Sequence, residues 1–439
     1  MDRLINDFGW PPSDSQMQGG HPGLSRYLYS IDIDEHRVVL YSNVYFDPVI
    51  VSRSEWAAIR DGRKVSASVA ERLECAGLLG TAYQDAQRIE DARARILNSI
   101  HSTQVLYFVA SDGCDMACSY CPIPVRKNLN SLMSVDIFTR YFHRFVRADK
   151  KIERRFIILY GGEPLFNVCL LKHIAAQYEN LAVDAAELEI LVCSNLTALN
   201  ENTLAILRQG PFKVVAGIDA QQDRAHATRL SGLNTDTHID TLRQIEKLVA
   251  ANIDTYASTT MTPQTAANIP SLLRTLSRIG VRGAGINLLR GLRGWSIISG
   301  AGFTLDAYAA LVARCFESII EDVELRKFEY SLTSRYERLV KPINLNLDCH
   351  AYGNQVVVYP DGSTGSCYLR GDREGATSQN VSRLPLFNPG CEDCEARPSC
   401  GGGCPWSADE LTGLGSNIDP IDCRVTRAIH PSIVRWVVR

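Results

Sequence analysis

Several absences narrow this 439-residue sequence before any motif is read. Its net charge is only −3, so charge alone announces no surface for nucleic acid or for an anionic membrane. No apolar run approaches the roughly 18 residues of a transmembrane helix. The opening stretch, Met1-Asp-Arg-Leu-Ile-Asn-Asp, lacks the basic and apolar regions of a signal peptide. The expectation is a cytoplasmic protein with no nucleic-acid and no membrane partner. Cysteine, by contrast, is plentiful: 14 thiols in a reducing compartment are better explained by metal ligation than by disulfides. With 45% hydrophobic and 22% charged residues the composition is ordinary and globular, and the length suits a barrel plus one or two smaller domains.

Three of those thiols fall within residues 111–123, Ser-Asp-Gly-Cys114-Asp-Met-Ala-Cys118-Ser-Tyr120-Cys121-Pro-Ile. The C-x3-C-x2-C spacing lets one short loop aim three sulfurs at a common point, as a thiolate-held iron–sulfur cluster requires. No fourth thiolate is local, which leaves one iron open to another ligand. A zinc site is the alternative, but zinc normally closes at four ligands and no His falls near Cys121. The apolar run Val105 to Ala110 before the loop, and a helical pattern from about Ser134 after it, place the loop at the C-terminal end of a strand. Open α/β sheets and β/α barrels put their chemistry there.

Residues 1–24 are polar and turn-rich and read as a loose arm. Between about 25 and 84, strands are expected over Tyr27 to Ile33 and Val38 to Tyr45. Helix starts follow at Ser52 or Ser54 and at Ser66 or Ser68, the last in the capping-box form Ser68-Val-Ala-Glu71. From Val105 onward, apolar runs alternate with helical patterns, the signature of a parallel sheet of β/α units. Six strands are predicted: 105–110, 156–160, 188–193, 214–219, 255–261 and 283–289. Helices are predicted near 134–148, 168–181, 200–209, 236–251 and 266–279, with Asp236 and Thr265 as cap positions. Six units are fewer than a closed barrel needs, so the predicted fold is α/β: a partial (β/α)6 TIM barrel with a small winged-helix-like α+β module before it. Helical stretches near 304–322 and 328–341 form a connection, about 301–345, to a cysteine-rich domain over 346–439.

The second predicted strand ends in Tyr160-Gly161-Gly162-Glu163-Pro164-Leu165, where glycines permit close backbone approach and Glu163 offers an acceptor to an ammonium group. The third ends in Cys193-Ser194-Asn195 and the fourth in Gly217-Ile218-Asp219-Ala220, followed by Asp223, His226 and Arg229. Cys193 and Cys169 read as structural thiols, since buried free cysteine behaves as a small apolar residue. Near the C-terminus, Cys349 and Cys367 flank an expected hairpin, Val356-Val-Val-Tyr359 with the turn Pro360-Asp361-Gly362. Cys391-x2-Cys394-x5-Cys400-x3-Cys404 and Cys423 complete a set of seven. Glycines 401–403 and Pro405 leave little room for a hydrophobic core there, so metal must supply stability. A zinc ribbon would account for only four of these thiols.

Taken together these motifs resemble the radical S-adenosylmethionine (SAM) superfamily. Its C-x3-C-x-aromatic-C hallmark is matched by Cys114, Cys118, Tyr120 and Cys121, its GGE-P segment by Gly161, Gly162, Glu163 and Pro164, and its C-terminal SPASM (twitch-like) pattern by the seven later cysteines. The resemblance implies a [4Fe-4S] cluster on Cys114, Cys118 and Cys121 whose open iron chelates SAM. It implies SAM contacts at Tyr120, Gly161, Gly162, Glu163, Pro164, Ser194, Asn195, Asp219 and Arg229. It also implies two auxiliary clusters, one on Cys349, Cys367 and Cys404 and one on Cys391, Cys394, Cys400 and Cys423. Departures exist: Leu196 replaces a family glycine, Gly217 stands where a Ser is common, and Ala220 replaces Gly.

The activity implied is radical SAM oxidoreductase chemistry, in which reductive SAM cleavage gives a 5′-deoxyadenosyl radical. Residues 25–84 resemble the leader-recognition element of peptide-modifying members, in which a precursor peptide adds to a strand edge, here an exposed edge expected somewhere in Val38 to Tyr45. The expected substrate is therefore a ribosomally made peptide, cross-linked or oxidised at a side chain, with a flavodoxin- or ferredoxin-like electron donor. Anaerobic sulfatase-maturating members carry Asp after the cysteine equivalent to Cys367; here Tyr368 stands there, which argues against that role. A radical SAM enzyme acting on a small molecule or tetrapyrrole, and a non-catalytic iron–sulfur or zinc scaffold, are the alternatives.

Overall fold

The computed structural model describes residues 23–99, 104–123, 131–147, 154–181, 187–220, 229, 237–340, 348–369, 381–413 and 418–439. Most of the arm expected over 1–24, the cap position Asp236, and Asp223 and His226 lie outside these residues. The chain divides into two compact units: Met1–Ile100, Thr333–Cys349 and Asn380–Arg439 in one, His101–Leu332 and His350–Gln379 in the other. The N-terminal strands and helices thus share a unit with most of the cysteine-rich C-terminus.

In the first unit, strands β1 (Leu28–Asp32), β2 (Arg37–Ser42) and β3 (Val49–Ser52) form an antiparallel sheet in the order β1-β2-β3. The sequence reading missed β3. That changes a conclusion: β2, expected to be an exposed edge, is the central strand, and Val38, Val39, Leu40 and Tyr41 are buried in it. The edges are β1 and β3. Ser52 ends β3 and caps the helix Arg53–Arg60 with a full capping box, its hydroxyl accepting from the Glu55 N–H at 3.1 Å and Glu55 accepting from the Ser52 N–H at 2.7 Å. The next helix, Ala67–Cys75, is capped by Ser66 rather than Ser68, so the expected Ser68–Glu71 box does not form. Val69 and Leu73 on it pack with Leu28, Val38, Leu40 and Val51. A third helix, Ala82–Ser99, the helix Ser334–Val340 and the C-terminal helices Pro405–Thr412 and Pro420–Val437 lie in the same unit.

The second unit holds the predicted parallel strands: β4 (Val105–Ser111), β5 (Arg155–Gly161), β6 (Leu188–Ser194), β7 (Phe212–Gly217), β8 (Thr255–Met261) and β9 (Ala284–Leu288), each hydrogen-bonded to the next. This is the partial-barrel α/β fold. Alternation of buried and half-buried residues along β5 to β8 sends one set of side chains toward the covering helices and the other toward the concave face. The helix Val135–Arg147 covers β4 through Phe138, Phe142, Phe145 and Val146, spaced for one face, with Phe108 and Phe138 rings 4.6 Å apart. The helix Ile269–Ile279 stops at Gly280, whose φ of +100° closes the last turn in the left-handed region. Ahead of it, Thr265 caps nothing with its side chain.

The expected hairpin is present as β10 (Gln355–Val358) and β11 (Thr364–Gly365), and it does more than bring Cys367 back. β10 pairs in parallel with β4, Val357 opposite Tyr107, and so lengthens the sheet to eight strands in the order β11-β10-β4-β5-β6-β7-β8-β9. Among the described residues no single helix is long and apolar enough to cross a membrane.

Candidate active site

Three strand ends meet at the C-terminal edge of the parallel sheet. The cysteine loop leaves β4 at Ser111, whose hydroxyl accepts from the Gly113 N–H at 3.1 Å. β5 ends against this loop: the Gly162 N–H donates to the Ser111 carbonyl and the Glu163 N–H to the Gly113 carbonyl, both at 2.8 Å. A Cβ on Gly161 would lie 2.3 Å from the Ser111 oxygen and one on Gly162 2.1 Å from the Gly113 oxygen. The close approach these glycines permit is therefore to the backbone of the cysteine loop, where the sequence reading expected it to be to a ligand.

Glu163 is fully buried and ties β5 to β6. Its Oε1 accepts from the Ser194 hydroxyl at 2.7 Å and the Leu165 N–H at 2.9 Å, and its Oε2 from the Asn195 N–H at 2.7 Å. Burial pushes its carboxyl up to about 7, against the pull of those three donors. A carboxylate has about four acceptor positions, so about one remains for a ligand cation. Asn195 turns its amide to the cysteine loop, with Nδ2 3.5 Å from Cys114 Sγ and 3.2 Å from Asp115 Oδ1. Leu196 follows with φ at +66°, the left-handed conformation that a glycine would adopt without strain. Pro164 opens the short turn Pro164–Phe166 behind Glu163.

β7 supplies the fourth corner. Asp219 Oδ1 accepts from the Thr260 N–H at 3.1 Å, and its carbonyl pairs with His238 Nδ1 at 2.8 Å. Arg229 reaches toward the cysteine loop, with Nη1 3.5 Å from the Tyr120 hydroxyl and 3.9 Å from Cys118 Sγ. A Cβ at Gly217 would stand 2.8 Å from the Arg229 guanidinium, the movable end of a long side chain. Among the described residues Arg229 Nε is buried with no partner, a donor left over for a ligand. Sequence reasoning missed Arg293, which donates to the Cys121 carbonyl from the helix Gly291–Gly300.

The donor set fits a cluster better than a catalytic thiol. Burial pushes Cys114 up to about 12 and Cys118 to about 11, so neither is a ready nucleophile, whereas a bound metal's own charge would deprotonate them. Among the described residues no three such side chains are gathered tightly enough for one ion; a four-iron cluster is wider and its thiolates stand at its corners. Below the loop, Tyr160 packs on Tyr368 with centroids 4.4 Å apart, and Tyr107 on Tyr368 at 5.3 Å, so a ring occupies the position after Cys367. Cys193 is half-buried and its thiol is pushed up to about 12 by burial. Cys169, expected to be a buried structural thiol, is exposed on its helix.

Of the seven later cysteines, Cys349, Cys391, Cys394, Cys400, Cys404 and Cys423 lie in the first unit and Cys367 in the second. Cys391, Cys394, Cys400 and Cys423 neighbour one another: burial raises the Cys391 thiol, and the charges of the other three raise it further. Their segment is braced by buried charge. Asp348 Oδ2 accepts from the Gly401 N–H at 3.1 Å and the Gly403 N–H at 2.9 Å, its Oδ1 meets Arg338 at 2.6 Å, and Arg335 pairs with Asp422 at 3.0 Å. Gly403 has φ at +68°, and a Cβ there would strike Asp422 at 2.8 Å.

Residues 108–276 match the family described as the Radical SAM superfamily. That stretch, about two fifths of the chain, carries the likeness, and members of that family work with a [4Fe-4S] cluster and SAM. No curated protein matches the sequence. Among solved structures, native anSMEcpe with bound AdoMet and Cp18Cys peptide is 14% identical, with a TM-score of 0.61 over 76% of this chain and 97% of that one. Native anSMEcpe with bound AdoMet is similar at 14% identity and a TM-score of 0.59, over 76% and 98%. At these identities the likeness is one of fold. Streptococcus suis SuiB bound to precursor peptide SuiA is 13% identical over 87% and 95%, with a TM-score of 0.48.

Proposed function

We propose that this chain is a cytoplasmic radical SAM maturase that oxidises or cross-links a side chain of a ribosomally made peptide. The observation that supports it most is the meeting of the Cys114–Cys121 loop with Glu163, Ser194 and Asn195 at the C-terminal edge of the sheet, tied by the Glu163 and Asn195 hydrogen bonds. In this reading Cys114, Cys118 and Cys121 hold the SAM-binding cluster. Gly161, Gly162 and Pro164 hold the end of β5 in place, and Glu163 turns its remaining acceptor to the ammonium of SAM. Asn195, Ser194 and Asp219 line the same edge, and Tyr120 and Arg229 offer donors to the ligand's oxygens. The cofactors supply the chemistry, a 5′-deoxyadenosyl radical from reductively cleaved SAM; the protein positions and shields. Cys349, Cys367 and Cys404, and Cys391, Cys394, Cys400 and Cys423, are the ligand sets for two auxiliary clusters, with a flavodoxin- or ferredoxin-like protein as electron donor.

A peptide substrate is supported by the Cp18Cys peptide bound to anSMEcpe and by the three-stranded sheet of residues 28–52, whose edge strands among the described residues, β1 and β3, offer backbone to an added strand. The test is anaerobic incubation of reconstituted protein with SAM, reductant and the short peptides encoded beside the gene, followed by mass spectrometry. A mass change in one peptide, dependent on SAM, is expected. SAM cleavage with every such peptide left unmodified would move the substrate to another class.

A further inference from the structure

Arg397 is a cation in an unusual place. It is 4% exposed and lies midway along the turns that join the four mutually neighbouring thiols: its N–H donates to the Cys394 carbonyl and its own carbonyl accepts from the Cys400 N–H, both at 3.2 Å. Other buried arginines of this unit have carboxylates, Arg335 with Asp422 and Arg383 with Asp409. Among the described residues Arg397 has none. Its Nε donates to the Asn43 carbonyl at 2.9 Å and its Nη2 to Asn43 Oδ1 at 2.7 Å, both neutral, and its guanidinium lies 5.3 Å from the Tyr27 ring. Leaving a charge buried without an opposite charge is expensive. Burial disfavours its charged form, and the groups that would favour it as anions are, in order, Tyr27, Tyr29, Cys391 and Cys394, of which the two thiols are the ones a bound metal would ionise.

Asn43 is built for this contact. It follows β2, is fully buried, and spends both amide hydrogens on the same segment, donating to the Glu392 and Cys394 carbonyls at 3.0 Å each. Its side chain therefore fixes the guanidinium and the ligand turn together, across 354 residues of sequence. A four-thiolate cluster is net anionic, and its potential depends on nearby charge and burial.

We propose that Arg397, aimed by Asn43, is the fixed counter-charge of an iron–sulfur cluster held by Cys391, Cys394, Cys400 and Cys423, and that the N-terminal sheet thereby sets that cluster's reduction potential. This rests on the ligand assignment made above. A fixed cation favours the reduced, more negative state, so removing it lowers the potential.

The test uses reconstituted full-length protein in a Cys114/Cys118/Cys121→Ala background, with iron and sulfide counted and the potential titrated by electron paramagnetic resonance. The component that disappears on Cys423→Ala is the one followed. Arg397→Gln is expected to keep the iron and lower the reduced-to-oxidised ratio at fixed potential at least tenfold, about 59 mV for one electron. Asn43→Asp, nearly isosteric, sets a carboxylate against Arg397 and is expected to shift the potential the same way. Arg397→Lys keeps the charge and is expected to restore most of it. Parent-like midpoints in both Arg397→Gln and Asn43→Asp, with iron retained, would overturn the proposal. A parent background that binds no cluster lost on Cys423→Ala would instead overturn the ligand assignment.

Discussion

The two cysteine-bearing regions are held in place by different physics. The Cys114–Cys121 loop is positioned by regular structure: it hangs from a strand end, the Gly162 and Glu163 N–H groups at the end of the next strand hold the Ser111 and Gly113 carbonyls, and the side chains of Asn195, Arg229 and Arg293 reach it with no ion pair among the described residues. The Cys391–Cys404 segment is built of short turns ahead of the helix Pro405–Thr412 and relies on buried ionic side chains, Asp348 with Arg338, Arg335 with Asp422. A parallel sheet is over-determined by its ladders and can carry a loop without a buried ionic brace. A segment of short turns has no such frame, so its charges must be complete.

The comparison breaks most readily at Asp348. Replacing it with Ala leaves two buried guanidinium groups under-compensated and two glycine N–H groups without their acceptor, which should cost about 3–5 kcal/mol. Denaturant unfolding should show that loss with the barrel's transition little changed. A single additive loss under 1 kcal/mol would mean that the ionic brace is not what holds this region. Gly162→Ala attacks the other region through the backbone alone. Its Cβ meets the Gly113 oxygen at 2.1 Å, so the cysteine loop must move, and deoxyadenosine formation should fall about 100-fold while global stability drops far less.

Ser194→Ala is a gentler probe of the same end. It removes one of three donors to buried Glu163, should cost about 1.5 kcal/mol, and should raise the Glu163 carboxyl further above about 7, read by carboxyl titration in infrared spectra. The smallest effect is a pH slope. His430 is buried between the Tyr41 hydroxyl and the Ser399 hydroxyl, each 2.9 Å away, and burial lowers it to about 3 from the ordinary 6.5. Below pH 6.5 the unfolded chain binds a proton that the folded chain refuses, so stability falls from pH 6.5 toward 3 by at most about 1.4 kcal/mol per pH unit. Above 6.5 this residue contributes no slope. His430→Gln should flatten urea midpoints compared between pH 7 and 5; an unchanged slope would assign the acid sensitivity elsewhere.

What could be read from sequence follows the same division. Strands β4 to β9 were legible because each is an apolar run of strand length between helical patterns, and Thr255–Met261 falls where the pattern put it. The cysteine loop and the Gly-Gly-Glu turn were legible because their spacing is local. Strand β3 was missed since Val49–Ser52 is four residues long and runs straight into a helix cap. That omission turned the central strand β2 into a supposed edge. The Arg229 guanidinium beside the bare Cα of Gly217 is a neighbour that no local spacing records. The parallel pairing of β10 with β4, and the ties of Asn43 to Arg397 and Asp348 to Gly401, join residues far apart in sequence, and no local period records them.

The three thiols of the barrel loop carry the proposed chemistry. Parent protein and a Cys114/Cys118/Cys121→Ala variant, both reconstituted anaerobically, are compared for iron content and for 5′-deoxyadenosine released from SAM under reductant. The variant is predicted to lose one cluster's iron and all deoxyadenosine while the auxiliary sites still load. Deoxyadenosine formed by the variant at the parent's rate would contradict the assignment.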